Sequence, residues 1–255
     1  MQVELVSFRY NLPSQKRFEL MVNIVNLSQA DLIIFCGHTL KDKQDLEELK
    51  NFIENKSVFV LFEVKQIEES GFLNLKNCLY YIKEGIVHNL FTNQFFSTKD
   101  EIEGNESLCE RFVNELETRR RFVVKGMNCL VLQCGEINIV KNIQKEDNKP
   151  VFRHGQRKDL EERFNNLLNN TQIIINPIHT PMGNQGKMEK RREFLSANNR
   201  YYFSVSQNGT RLKKDDKYVI SMDSRSLQYS FYNGFALMGI DYEYTKDYQK
   251  RLFEL

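Results

Sequence analysis

Two kinds of hydrophobic pattern alternate along the first part of the chain. VELVSF (3–8), ADLIIFC (30–36) and SVFVLFEV (57–64) are short runs of mostly apolar residues, the pattern of strands buried on both faces. Between them apolar residues recur at helical spacing. Pro13, suited to the first turn of a helix, precedes a stripe of Phe18, Met21, Val22 and Val25. DKQDLEELKNFIEN (42–55) puts Leu46, Leu49, Phe52 and Ile53 on one helical face.

Further on the pattern changes to hairpins and then back. NCLYYIKEGIVHNLF (77–91) predicts two strands turning at Glu84-Gly85, and RRRFVVKGMNCLVLQC (119–134) a second hairpin turning at Lys125-Gly126. STKDEIEGNES (97–107) and KNIQKEDNK (141–149) are polar and read as a loop and a link. A helix over 157–170, with Leu160, Phe164, Leu167 and Leu168 as its stripe, leads to the strand TQIIINP (171–177). A helix over 187–199 leads to the strand RYYFSVSQN (200–208). KYVISM and SLQYSFYN are shorter strands before a tail with several tyrosines. There is no internal repeat and no linker rich in Pro, Gly and Ser. Strand–helix alternation with embedded hairpins predicts one α/β domain over 1–255, a layered sandwich with mixed sheets and a short C-terminal tail.

Charge narrows the classes of function. The 36 basic and 34 acidic residues leave a net charge of +2, which gives no electrostatic case for nucleic acid. RRR (119–121) and KRR (190–192) are too short to alter that and read as solvated faces. No apolar run approaches the roughly 20 residues that span a bilayer, and the N-terminal stretch lacks the pattern of a signal peptide. The five cysteines are odd in number and show no CxxC spacing, which fits reduced thiols in a cytoplasm. Histidines 38, 88, 154 and 179 form no HxxxH or HExxH pattern, so no metal site and no cofactor are expected.

Five segments, in order, carry a resemblance. They are DLIIFCG (31–37), NCLYYIKEGIVHNLFTNQFF (77–96), NCLVLQCGE (128–136), TQIIINPIHTP (171–181) and REFLSANNRYYFSVSQNG (192–209). Their sequence and spacing over nearly the whole chain resemble the carbon–nitrogen hydrolases of the nitrilase superfamily. The resemblance implies an α-β-β-α sandwich of two mixed sheets with helices on the outer faces. It also implies a cysteine that attacks an amide or nitrile carbon, a glutamate that moves the proton, and a lysine that stabilises the developing negative charge.

Periodicity alone reads Cys134 as a small buried residue before a turn. The resemblance puts it at the nucleophile position, with Gly135 permitting an unusual backbone angle in the turn that follows. The other two positions depart from the family. Its glutamate falls on Gly37 and its lysine on Thr92, while a second loop glutamate corresponds to Glu101 or Glu103. Substitutes are available in Lys99, in Glu63 at the end of a strand, and in His38, which could form a thiol–imidazole pair. With Cys134 these make the candidate catalytic set, and Glu136, Thr92 and His179 are the candidate substrate contacts.

Two readings stay open. One is a divergent thiol hydrolase acting on a small amide-like ligand. The other is a degenerate binding or assembly module lacking the family's Glu and Lys, such as the accessory modules of larger systems, including defence systems. The family habit and the stripe of helix 157–170 predict a homodimer through helical faces.

Overall fold

The computed structural model describes residues 1–69, 73–88, 93–179, 185–208, 210–214, 217–221 and 228–255. The first half builds one sheet. β1 (Gln2–Phe8), β2 (Leu32–Phe35) and β3 (Phe59–Glu69) run parallel, connected through α1 (Ser14–Leu27) and α2 (Lys43–Leu49). β4 (Leu73–Lys83) and β5 (Ile86–His88) continue it antiparallel, with Glu84 and Gly85 both at positive φ in the tight turn between them.

The second sheet comes from the other half. After α3 (Lys99–Ile102) and α4 (Glu106–Thr118), β6 (Arg121–Val124) and β7 (Met127–Val131) form a hairpin that turns at Lys125 and Gly126, again at positive φ. A 3₁₀ turn (Cys134–Ile139) leads into the hairpin of β8 (Val140–Ile143) and β9 (Lys149–Phe152). Then come α5 (Lys158–Asn169), β10 (Ile173–Ile178), α6 (Gln185–Ser196) and β11 (Tyr201–Ser206), followed by the hairpin of β12 (Thr210–Lys214) and β13 (Lys217–Ser221). β14 (Gln228–Tyr232) and β15 (Phe235–Ala236) complete this sheet, in the order β15-β14-β11-β10-β7-β6. The last strands, β16 (Asp241–Tyr244) and β17 (Tyr248–Glu254), return to the first sheet, in the order β16-β17-β1-β2-β3-β4-β5.

The alternation of side chains along the strands creates the layers. Cys129, Val131, Ile173, Ile175, Phe203 and Val205 face inward and pack with the first sheet. Their neighbours Leu130, Ile174 and Tyr202 face outward and pack with Phe112, Leu160 and Leu195 of α4, α5 and α6. On the other side Phe18, Met21, Ile24, Val25, Leu46 and Leu49 of α1 and α2 join the cluster built on the first sheet. This is the expected α-β-β-α sandwich. Among the described residues no helix is long and apolar enough to cross a membrane.

Several local expectations change. α2 ends at Leu49, short of residue 55, because the following segment bonds to the end of α1 instead. The N–H groups of Glu54 and Asn55 donate to Asn26 Oδ1, and the Asn55 amide donates to the carbonyls of Val25 and Ser28. The polar stretch 97–107 contains α3 and the start of α4, whose N-terminus Asn105 caps by accepting from Leu108 N–H. The link at 141–149 is part of the β8–β9 hairpin. The tail is an edge of the first sheet, with Gln2 opposite Glu254 and Phe8 opposite Tyr248. The stripe of helix 157–170 that motivated pairing through helical faces is buried inside the chain, against α4 and the outer face of the second sheet.

The turn after β7 is held by a buried ion pair. Glu136 accepts from Gln133 N–H at 2.7 Å, from Phe95 N–H at 2.8 Å, and from both terminal nitrogens of Arg120 at 3.2 and 3.3 Å. Neither side chain of the pair is exposed. A pair like this is costly to break from one side, because the remaining charge is left without a partner. Arg120→Ala is expected to lower stability by about 3–5 kcal/mol, read as a shift of the urea midpoint. Removing both charges in Arg120→Met with Glu136→Gln should recover part of that loss.

Candidate active site

Glu63 lies on β3 between the two sheets with no exposed surface. A carboxylate there needs donors from every side. Oε1 accepts from His38 N–H at 2.9 Å and lies 2.7 Å from His179 Nε2, while Oε2 accepts from the Gln133 amide at 2.8 Å. The Gln133 amide also donates to the Asn77 carbonyl at 2.6 Å. These donors come from the loop after β2, the segment after β7 and the residue after β10. The ends of strands from both sheets therefore meet at one carboxylate. Gly37 N–H donating to the Ile178 carbonyl at 3.0 Å links the two sheets at the same place.

Two backbone features present the histidines. His38 has φ 58°, a left-handed conformation, and its carbonyl accepts from Arg17 at 2.7 Å. His179 directly follows β10, and its ring stacks on that of His38 with centroids 3.9 Å apart and planes 14° from parallel. Gly37 makes this possible: a Cβ on it would overlap Cδ2 of His179. The position where the resemblance places the family's glutamate is thus filled by an imidazole from another strand. Among the described residues, sequence reasoning placed His179 in the outer contact set, although His179 sits at the centre. The only signal was its place after a strand ending in Asn-Pro.

Cys134 opens the 3₁₀ turn with φ 23°, and it is the one of the five free cysteines that is not buried. The unusual angle therefore belongs to Cys134 rather than to Gly135. Gly135 is needed for a different reason, since a Cβ there would run into the backbone of Ser97. The Asn176 amide donates to the carbonyl of Cys134 at 3.3 Å and its oxygen accepts from Tyr202 at 2.9 Å. The Cys134 sulfur is near enough to the His179 imidazole to raise its pKa. The order is thiol, imidazole, buried carboxylate.

The remaining candidates lie elsewhere. Lys99 is 68% exposed and its ammonium lies 3.9 Å from Asp100, so it does not join this cluster. Glu136 is occupied by Arg120 and two N–H groups, which corrects its reading as a substrate contact. Thr92 lies outside the described residues. Glu101 accepts from Ser97 N–H and the Thr98 hydroxyl beside α3, and Glu103 pairs with Arg153.

Charge is distributed unevenly over the two rings. Burial alone would lower the pKa of His179, but the Glu63 carboxylate and the Cys134 sulfur outweigh it and raise the imidazolium to about 11. His38 is lowered to about 4, first by burial and then by the charge of His179 beside it. Burial pushes Glu63 upward, but the charge and hydrogen bond of His179 hold it below the usual carboxylate range. At neutral pH one ring is charged and the other neutral. The Asn77 amide nitrogen donates to Gln94, so its oxygen faces His38 Nε2 at 2.8 Å and accepts from it.

A cleft of about 310 Å³ opens beside His38, bordered by Tyr10, Arg17, Lys41, Lys65 and Gln207. That is near the lower end of the roughly 300–1,000 Å³ typical of small-molecule sites.

The raised pKa of His179 stabilises the folded chain fully below its ordinary value of 6.5, and this stabilisation fades as pH rises toward about 11. The lowered pKa of Glu63 acts at the other end, losing its contribution as pH falls below the ordinary 4.5. The stability gap between wild type and His179→Asn should therefore be largest near pH 6 and narrow toward pH 10, as read by urea unfolding at each pH.

No protein-family model and no curated protein matches the sequence. Solved structures do match. A carbon–nitrogen hydrolase superfamily protein from Xanthomonas campestris, solved with an arsenic adduct in its active site, is 11% identical with a TM-score of 0.57, covering 100% of this chain and 90% of its own. A carbon–nitrogen hydrolase from Helicobacter pylori G27 is 11% identical with a TM-score of 0.59, covering 99% and 88%. An amidase from Nesterenkonia is 9% identical with a TM-score of 0.59, covering 100% and 90%. The chain has the fold of the carbon–nitrogen hydrolase superfamily, the family its sequence resembles.

Proposed function

We propose that the chain is a thiol hydrolase of small amides, with Cys134 as nucleophile, His179 as proton carrier and Glu63 as the group that orients and charges His179. The observation that carries the reading is the Cys134–His179–Glu63 order, built from the ends of β7 and β10 and the interior of β3, which runs past the strand end expected at Glu63. A mutant form of the Nesterenkonia amidase holds the acetamide moiety of fluoroacetamide on its active-site cysteine, which supports a cysteine nucleophile for a chain of this fold.

The sulfur attacks the amide carbon and a C–S bond forms. His179 gives its proton to the leaving nitrogen, the C–N bond breaks, and an amine or ammonia departs. The N–H groups at the start of the turn, next to the sulfur in the chain, would take the charge on the tetrahedral oxygen. The resulting thioester is neutral, so the sulfur no longer helps to hold a proton on His179. The imidazole then accepts one from water, hydroxide attacks the thioester, and the acid leaves with the thiol restored. Glu63 stays ionised throughout and keeps the ring in place.

In this reading Gly37 is a positioning residue. Gly37→Ala is expected to displace the His179 ring and lower amide turnover at least about tenfold while circular dichroism stays unchanged.

Cys134→Ala should abolish ammonia release from simple amides, and His179→Asn should lower it by about 10²–10⁴. Iodoacetamide at neutral pH should label Cys134 ahead of the four buried cysteines, and more slowly in His179→Asn. Equal labelling rates in the two proteins, together with no ammonia release, would overturn the hydrolase and favour a binding or assembly module that has kept the fold.

A further inference from the structure

On the side away from β5 and β6 the inner layer of the sandwich runs out into solvent. Gln228 of β14 donates to the carbonyls of Leu5 on β1 at 3.3 Å and of Gln249 on β17 at 3.4 Å, which sets β14 over those two strands. β15 and β16 are therefore the outer strands of one open edge, and the short segment between them crosses it from the second sheet to the first.

Side chains directly opposite in a ladder share a face. Tyr232 lies opposite Tyr201 and Phe235 opposite Tyr232, which puts both rings on the inner face with Phe203. Tyr242 and Tyr244 lie opposite Arg251 and Gln249, on the face that carries Phe253 inward. Yet Phe235 is 75% exposed and Tyr244 59%, and Met238 and Ile240 on the crossing segment are 84% and 58% exposed. At about 150–250 Å² for a side chain of this size, these four with Tyr232 and Tyr242 leave roughly 700 Å² of mostly apolar surface in water. That exceeds the about 300–600 Å² of the largest patch on a typical monomer, and approaches the about 800 Å² that each partner contributes to a stable pair.

Charge on the border does not select a charged partner. Asp241 and Glu243 of β16 stand beside Lys250 and Arg251 of β17. Glu243 pairs with Lys250 at 3.0 Å, and the Arg251 guanidinium lies over the Tyr242 ring. A border that carries both signs in pairs meets its own copy without repulsion.

We propose that this edge docks a second copy of the chain about a two-fold axis, so that the rings of one copy complete the inner layer of the other. A two-fold axis uses the same patch twice, and the closed pair leaves no apolar edge for a third copy. The contact does not depend on the hydrolytic reading.

The test is sedimentation of the full chain across the micromolar range. A dimer is expected, and Phe235→Glu with Met238→Glu should weaken it at least about tenfold, because like charges then face each other at the contact. Both side chains are mostly in water in the single chain, so circular dichroism should stay unchanged. In wild type, amide hydrogen exchange over residues 235–244 should slow as concentration rises, while exchange over α5 does not change. A monomer up to about 100 µM, a dimer that the double substitution leaves intact, or exchange at 235–244 that ignores concentration would overturn the contact.

Discussion

A carboxylate with no access to water has to be neutralised and hydrogen-bonded by its surroundings, and Glu63 imposes that requirement at the centre of the sandwich. An unpaired charge there would cost several kcal/mol. Its partners are His38, Gln133 and His179, each at the end of a different strand or just beyond it. Satisfying the carboxylate therefore aligns β2, β7 and β10 with β3, across both sheets. The same alignment brings the sulfur of Cys134 to the ring of His179. Here the demands of burial and the assembly of a site are one requirement.

The turn at Cys134 is the second element under constraint. A cysteine at φ 23° is strained, and such a residue persists only where its neighbours leave it no alternative. On one side the Ser97 backbone presses against Gly135. On another the Arg120–Glu136 pair holds the base of the turn, and Asn176 holds the Cys134 carbonyl. These contacts place the thiol at the edge of the interior, half-exposed, while the other four cysteines are buried.

The absence of a side chain at Gly37 and the presence of a ring at the same spot are linked. Gly37 leaves a space, and the imidazole of His179 fills it. In this chain the carboxylate sits one layer further back, on Glu63, and pairs with the imidazole. The exchange puts a group that can carry positive charge next to the sulfur and creates the stacked pair of rings, of which only one is charged at neutral pH.

Periodicity was enough for the parts of the fold that depend on local pattern. The apolar runs of β1, β2 and β3 and the two turns at Glu84-Gly85 and Lys125-Gly126 are readable residue by residue, because a strand's burial and a turn's positive φ leave marks within a few positions. α4 carries an equally readable stripe of Cys109, Phe112, Val113 and Leu116, which lies beyond the stretch 97–107 that reads as a loop. The tail was different: its polar and aromatic mixture suits an exposed segment, and only pairing with β1 makes it a strand. For the site, the sequence by itself determined the thiol at the end of a strand, the absence of a side chain at Gly37, and the presence of Glu63 and His38. Tertiary structure alone decided that His179 is their partner, that Glu136 belongs to Arg120 and that Lys99 faces solvent. Which side chains meet at the ends of strands depends on sheet order and register, and those are set by contacts between residues far apart in the chain, which no local pattern records.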